Sequence, residues 1–223
     1  MSAIVFDLDG TLVDSAPDIR TIANTVADEQ GLSPVSMAQT RQFIGNGAGR
    51  FVERMMAAGG LDPAAPGGAE RHARMLERFL ALYETVIEDT APYPGVIAAL
   101  DELAARGYRL GICTNKPGRA TAALLGRLGL AERFDAIITG DTLEMKKPDP
   151  APLDAAFAEL GGPALLYVGD SEVDAETAQA AGLRFALFTE GYRKSPLARV
   201  PHDYAFSHHD ALPVLVSGLR GAA

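Results

Sequence analysis

Two aspartates separated by one residue stand near the start of the chain, in the run Asp7-Leu8-Asp9-Gly10-Thr11. Three later stretches complement them: Thr114-Asn115-Lys116, Lys146-Lys147-Pro148, and Gly169-Asp170-Ser171-Glu172-Val173-Asp174. Together they hold what phosphoryl transfer needs. Asp7 and Asp170, with one backbone carbonyl, offer hard oxygen ligands of the kind Mg2+ prefers while it keeps several waters. A lysine and a hydroxyl can hold phosphate oxygens, and the backbone N–H groups of the turn at Gly10 add donors. Asp7 can then accept a phosphoryl group as an aspartyl phosphate. Asp9 can protonate the leaving oxygen and later take a proton from water, which matters because an alkoxide leaves poorly.

These residues are far apart in sequence, so the fold must gather them. Residues 3–8 read as a short buried strand, apolar and β-branched in the middle, followed by Gly10 and Thr11 as turn residues. After Pro92-Tyr93-Pro94-Gly95, strands expected at 110–113, 136–139, 165–168 and 185–188 alternate with helices. An edge strand at 204–206 and a helix at 212–219 close the chain. Repeated β-α units of this length predict an α/β fold with a doubly wound parallel sheet. In such sheets ligands bind beyond the C-terminal ends of the strands, and each of the four stretches falls at one. Residues 15–90 carry only helical patterns. Ile19, Ile22, Ala23 and Val26 form one apolar stripe, and Met75, Leu76, Phe79, Leu80, Tyr83, Val86 and Ile87 form another. Between them lie the loop Ile44-Gly45-Asn46-Gly47-Ala48-Gly49 and a Pro/Gly-rich run. The expected division is a core of 1–14 and 91–223 with a helical insert of 15–90.

Composition narrows the function. The chain has 223 residues, 48% of them hydrophobic, enough for a sizeable core. Its net charge of -9 is the opposite of a nucleic-acid binder's basic footprint, so an anionic ligand must be captured by local positive charge. The single cysteine, Cys113, permits neither an internal disulfide nor a zinc site of paired thiolates, and is expected to be a buried inert thiol. No secretory signal or membrane span is read, which makes a cytoplasmic location the expectation.

Taken in order, the four stretches resemble the motifs of the haloacid dehalogenase-like superfamily of aspartate-nucleophile phosphatases, over essentially the whole chain. Leu12-Val13-Asp14-Ser15-Ala16-Pro17, Phe43-Ile44-Gly45-Asn46-Gly47, Thr114-Asn115-Lys116-Pro117, Lys146-Lys147-Pro148-Asp149-Pro150 and Val168-Gly169-Asp170-Ser171 followed by Asp174 are similar to the bacterial phosphoglycolate phosphatase branch. The resemblance implies a Rossmann-like core with an all-helical cap of the C1 type inserted after the first strand. It implies that Asp7 is the nucleophile and Asp9 the general acid/base, with the Asp9 backbone carbonyl also on Mg2+. Asp170 would be the third protein ligand of the metal, ordered by Asp174 from behind. Thr114 and Lys147, rather than Lys146, would hold the phosphoryl group, with Asn115 supporting that loop. Glu172 sits where some relatives place an extra acidic contact.

Asp9 discriminates among relatives, because dehalogenases and phosphonate-cleaving members lack an aspartate there; its presence argues for phosphate-ester chemistry. Substrate choice is expected from the cap, with the backbone around Asn46 reaching the site. Arg41, Arg50, Arg54 and Lys116 are the candidate cations for a substrate carboxylate. His72, His202, His208 and His209 read as surface residues. The expected activity is a Mg2+-dependent phosphomonoesterase acting on a small anionic phosphate ester, with 2-phosphoglycolate leading, in a monomer or homodimer that binds neither nucleic acid nor membrane. The alternatives are a pyrophosphatase, a sugar-phosphate phosphatase, a β-phosphoglucomutase-like transferase and, from another class, a phospho-accepting signalling module.

Overall fold

A computed structural model of the chain describes residues 1–220. It opens with β1 (Ala3–Phe6) and the two-residue β2 (Val13–Asp14), then builds α1 (Ala16–Glu29), α2 (Met37–Phe43), α3 (Gly47–Ala58) and α4 (Gly68–Tyr83). After a two-residue β3 (Ala91–Pro92) come α5 (Val96–Ala105), β4 (Arg109–Cys113), α6 (Gly118–Leu128), β5 (Ala136–Ile138) and α7 (Ala151–Leu160). The chain ends with β6 (Ala164–Gly169), α8 (Glu172–Ala180), β7 (Phe185–Phe188), β8 (Tyr204–Phe206) and α9 (Leu212–Arg220).

Six strands pair in the order β5-β4-β1-β6-β7-β8, every pairing parallel. The sheet is covered on both faces, which is why β1 and β7 are continuous apolar runs rather than alternating ones. Side chains still alternate between two separate cores. Ile4, Phe6, Leu110, Ile112, Leu166 and Val168 pack with Val96 and Leu100 of α5, Leu124 of α6 and Leu212 and Val216 of α9. Ala3, Val5, Cys113, Ile138 and Tyr167 face the other way, onto Leu153, Ala156 and Leu160 of α7 and Ala175 and Ala178 of α8. The sheet is therefore doubly wound, and β1 lies between β4 and β6 where the winding reverses.

The four helices between β2 and β3 have a core of their own, built on Ile19, Ile22, Val26, Phe43, Phe51, Met55, Met56, Met75, Phe79 and Tyr83. Phe43, Phe51, Phe79 and Tyr83 form a chain of ring contacts with centroids 5.2 to 5.8 Å apart, the spacing aromatic pairs prefer. Helix α4 stops at Tyr83, so Val86 and Ile87 do not extend its stripe. The β-branched run Thr85-Val86-Ile87 disfavours helix. The next backbone N–H groups, of Glu88, Asp89 and Thr90, are captured instead by the buried Asp18 carboxylate at 2.8 to 3.3 Å. Val13 and Asp14 pair antiparallel with Pro92 and Ala91, tying the two ends of this helical stretch together.

One histidine departs from the sequence reading. His202 and His208 are exposed, but His209 is only 1% exposed, its ring 4.5 Å from that of Phe188 and 5.3 Å from that of Phe206. The single helical turn at His209–Ala211 points it inward among aromatic side chains from β7 and β8, a tertiary arrangement with no periodic signature. Among the described residues, no helix is long and apolar enough to cross a membrane.

Candidate active site

The four sequence stretches meet where β1, β4 and β6 end. Asp7 directly follows β1, and its N–H donates to the Val168 carbonyl on β6 at 2.8 Å, which fixes where its carboxylate starts. Thr114 follows β4 and is anchored by its own N–H to Ile138 of β5 at 3.0 Å. Asp170 follows β6. Lys147 comes from the loop between β5 and α7, too irregular to fix its own position. Asn115 holds it: Oδ1 accepts from the Lys147 N–H at 3.1 Å and Nδ2 donates to the Lys147 carbonyl at 3.0 Å. The same Nδ2 reaches the Gly45 carbonyl at 2.9 Å, so one amide links the lysine loop to the loop between α2 and α3.

Lys147 Nζ lies 2.9 Å from Asp7 and 2.7 Å from Asp174, and 2.9 Å from the Tyr167 hydroxyl. Burial opposes its charge, but Asp174 and Asp7 outweigh that and hold it protonated well above the usual lysine range. Asp174 receives five donors: Lys147 Nζ, the Tyr167 hydroxyl, Ser171 N–H and Oγ–H, and the Asp170 N–H. Burial would raise its pKa, yet Lys147 and these hydrogen bonds keep it below the normal carboxylate value. It also forms a capping box with Ser171 at the start of α8. Asp7 and Asp170 fare differently. Burial pushes Asp7 up to about 7 despite Lys147, and pushes Asp170 well above the carboxylate range, with Asp174 adding to both. Among the described residues Asp170 accepts only from neutral donors, Thr11 Oγ1 at 2.8 Å and the Tyr192 N–H at 2.5 Å.

That charge deficit tests the fit of a metal. Asp7, Asp170 and Asp174 each bring a carboxylate oxygen within 4.8 Å of the others, all buried. Two acids with too few positive partners and only oxygen donors suit a hard divalent cation such as Mg2+, and no thiolate or imidazole competes within the cluster. The glycines around it are needed for room. A Cβ on Gly10, whose φ is 88°, would lie 2.5 Å from Asp170 Oδ2, and one on Gly191 would lie 2.3 Å from the Asp170 Cβ.

Asp9 stands apart from this cluster. Lys116 Nζ donates to its two oxygens at 3.1 and 3.4 Å, and Ser15 Oγ donates at 2.6 Å. Lys116 also sits 3.7 Å above the Tyr83 ring, a cation–π contact across to α4. A cavity of about 500 Å³ of open space borders Asp7, Asp174, Lys147, Asp9 and Lys116, but not the buried Asp170. Asp7, Asp9, Thr114, Asn115, Lys116, Lys147, Ser171 and Asp174 line its polar side, and Ile19, Ile44, Ala48, Phe51, Phe79 and Tyr83 its helical side.

Some expected residues do not border it. The Gly10 N–H is spent on the Val13 carbonyl at 2.8 Å, so that glycine shapes the turn and the wall around Asp170. Asn46 accepts from Arg54 at 2.8 Å, and Glu172 accepts from the Lys194 and Ser195 N–H groups at 2.9 and 2.5 Å. Cys113 is buried, its thiol pushed up to about 12 by burial. Sequence reasoning missed Tyr167, Ser15 and Tyr83. Tyr167 alone carried a trace: a tyrosine in an otherwise aliphatic buried strand needs a partner for its hydroxyl.

Comparison with known proteins places the chain in a family and a fold. The family described as haloacid dehalogenase-like hydrolase matches residues 4–188. A phosphoglycolate phosphatase of Cereibacter sphaeroides is 52% identical over 220 residues, covering 98% of this chain and 99% of its own. One from Rhodobacter capsulatus is 43% identical, with 97% of each chain covered. Among solved structures, a predicted phosphoglycolate phosphatase from Haemophilus somnus superposes with a TM-score of 0.88 at 28% identity, over 96% of this chain and 97% of that one. CbbY from Rhodobacter sphaeroides, in complex with phosphate, gives 0.77 at 27% identity, over 95% and 96%.

Proposed function

Because the chain belongs to the haloacid dehalogenase-like hydrolases and is a phosphatase of that family, we propose that it hydrolyses 2-phosphoglycolate to glycolate and phosphate with Asp7 as nucleophile. The observation that carries this reading is the convergence of Asp7 and Asp9 after β1, Thr114 after β4 and Lys147 from the β5–α7 loop on one cavity. The substrate is supported by the names of the relatives that match this chain nearly end to end.

In this reading an Asp7 oxygen attacks phosphorus while the ester P–O bond breaks, leaving an acyl phosphate on Asp7. Lys147 and the Thr114 hydroxyl hold the non-reacting phosphoryl oxygens as charge builds on them. Asp9 gives its proton to the departing glycolate oxygen. It then takes a proton from the water that attacks phosphorus, which frees phosphate and restores Asp7. Asp7 and Asp170, with the Asp9 carbonyl, would hold Mg2+, which when bound supplies positive charge against the phosphoryl oxygens. Asp174 fixes Lys147 and the turn at Ser171. Residues 15–90 act as a cap over the core of 1–14 and 91–223, and the apolar helical wall keeps bulk water from the acyl phosphate. A cytoplasmic location accompanies this reading, in keeping with a single buried free thiol.

Phosphate release measured with Mg2+ on 2-phosphoglycolate, pyrophosphate, glucose 1-phosphate and p-nitrophenyl phosphate tests it. Phosphoglycolate is expected to give the highest kcat/KM, and Asp7→Asn to lower kcat by about 10⁴-fold or more. Turnover undiminished in Asp7→Asn overturns the nucleophile. A clear preference for pyrophosphate or the sugar phosphate overturns the substrate.

A further inference from the structure

Of the four cations the sequence offers for a substrate's second anionic group, three are turned elsewhere. Arg41 pairs with Asp14 at 3.5 Å and Arg50 with Glu53 at 2.5 Å, both on the surface. Arg54 donates to the Phe43 carbonyl at 2.9 Å and to Asn46 at 2.8 Å. Lys116 alone of the four borders the cavity, with a side chain only 2% exposed. The other lysine on the cavity wall, Lys147, is held by Asp7 and Asp174 where the phosphoryl group must sit.

We propose that Lys116 is the specificity-determining residue of this site, pairing with a carboxylate carried one carbon from the phosphate ester, so that the enzyme selects short phosphorylated hydroxy acids. The proposal rests on the phosphatase reading of the same cavity. An ammonium has three N–H donors, and the two contacts to the Asp9 oxygens, at 3.1 and 3.4 Å, leave one for a further acceptor. Lys116 also places the reader beside the acid group. A substrate whose ester oxygen reaches Asp9 brings a carboxylate one carbon away next to the Asp9 partner. The opposite wall reinforces the choice. Ile19, Ile44, Ala48, Phe51 and Phe79 offer no hydrogen-bonding side chain, which leaves Tyr83 as the single side chain on the helical side able to pair with a sugar's several hydroxyls. Helix α3 begins on that wall with Gly47 and Ala48, and Asn46 gives its first turn no side-chain cap, which leaves backbone donors favourable to an anion.

The test is steady-state kinetics on 2-phosphoglycolate and on ethyl phosphate, which keeps the two-carbon ester but lacks the carboxylate, with glucose 6-phosphate as a polyol control. Wild-type protein is expected to prefer phosphoglycolate over ethyl phosphate by about 100-fold or more in kcat/KM, the scale of a desolvated charge pair. Lys116→Met should shrink that preference by about 30-fold or more, chiefly through KM, while Lys116→Arg keeps part of it. Should Lys116→Met not fold, Lys116→Gln is measured in its place against the same wild-type preference. The proposal is overturned if the wild type hydrolyses both esters alike, or if the preference survives in Lys116→Met because both substrates lose equally, the mark of a residue that only positions Asp9. No phosphate release from any ester by the wild type would instead overturn the phosphatase reading beneath it.

Discussion

Lys147 shows how much one side chain depends on neighbours drawn from other elements. Its charge is stabilised by Asp7 and Asp174, and its backbone by Asn115, so four segments define a single ammonium position. Asp174 is the keystone of that group, since removing it leaves Lys147, the Tyr167 hydroxyl and the Ser171 N–H short of an acceptor inside the protein. Asp174→Ala should therefore lower the unfolding free energy by about 3–5 kcal/mol, as for other broken buried ion pairs. Urea denaturation reads this directly, and a loss below about 1 kcal/mol would show that the network relaxes around water. Tyr167→Phe keeps the ring and deletes only the hydroxyl, so a smaller loss of about 1–2 kcal/mol is expected. The chemistry at this scale was legible from residue types: carboxylates, a lysine and a hydroxyl at fixed strand ends. Tyr167 and Ser15 were not, because a tyrosine or serine has no spacing rule that marks it as a partner for a residue more than a few positions away.

At the scale of elements, α1 is joined to the return segment through Asp18. Its carboxylate accepts from the N–H groups of Glu88, Asp89 and Thr90 and from the Thr90 hydroxyl at 2.5 Å, satisfying backbone that no helix or sheet pairs. Asp18→Ala leaves these groups without a partner and should cost about 2–4 kcal/mol. Amide hydrogen exchange should then speed up first at residues 85–92; protection unchanged there would remove Asp18 from this role. Helix α8 shows the converse, a local arrangement: Ser171 and, three residues later, Asp174 form a capping box at its start. The strands of the sheet were legible, because burial on both faces writes long apolar runs into the sequence. The two-residue β2 and β3 were not, being too short for any period and containing Pro92.

For the whole molecule, stability should depend on pH and on metal. His209 is buried against Phe188 and Phe206, and burial, with His208 nearby, lowers its pKa from 6.5 to about 4. The unfolded chain therefore binds its proton first as pH falls. The stabilisation is complete above about pH 6.5 and is lost as pH drops through 4, amounting to about 3 kcal/mol. His209→Phe should flatten the fall in melting temperature between pH 6.5 and 4, and an unchanged slope would contradict this. Mg2+ should raise the melting temperature of chelator-treated protein by about 5–10 °C at about 100 times its Kd. Asp170→Ala should abolish that rise, a readout independent of turnover. With a net charge of -9, the positive charge that meets an anionic substrate is local, supplied by Lys147 and Lys116 and, once bound, by the cation that offsets the remaining acids. By itself the sequence determined the α/β class, the strand ends and the four reactive stretches, because burial period and residue chemistry are local properties. Only the tertiary structure decided that Lys116, not an arginine, faces the cavity, that Asn46 turns to Arg54, and that His209 is buried. Those outcomes depend on which distant surfaces meet, and a charge or an imidazole looks the same in sequence whether packing encloses it or leaves it in water.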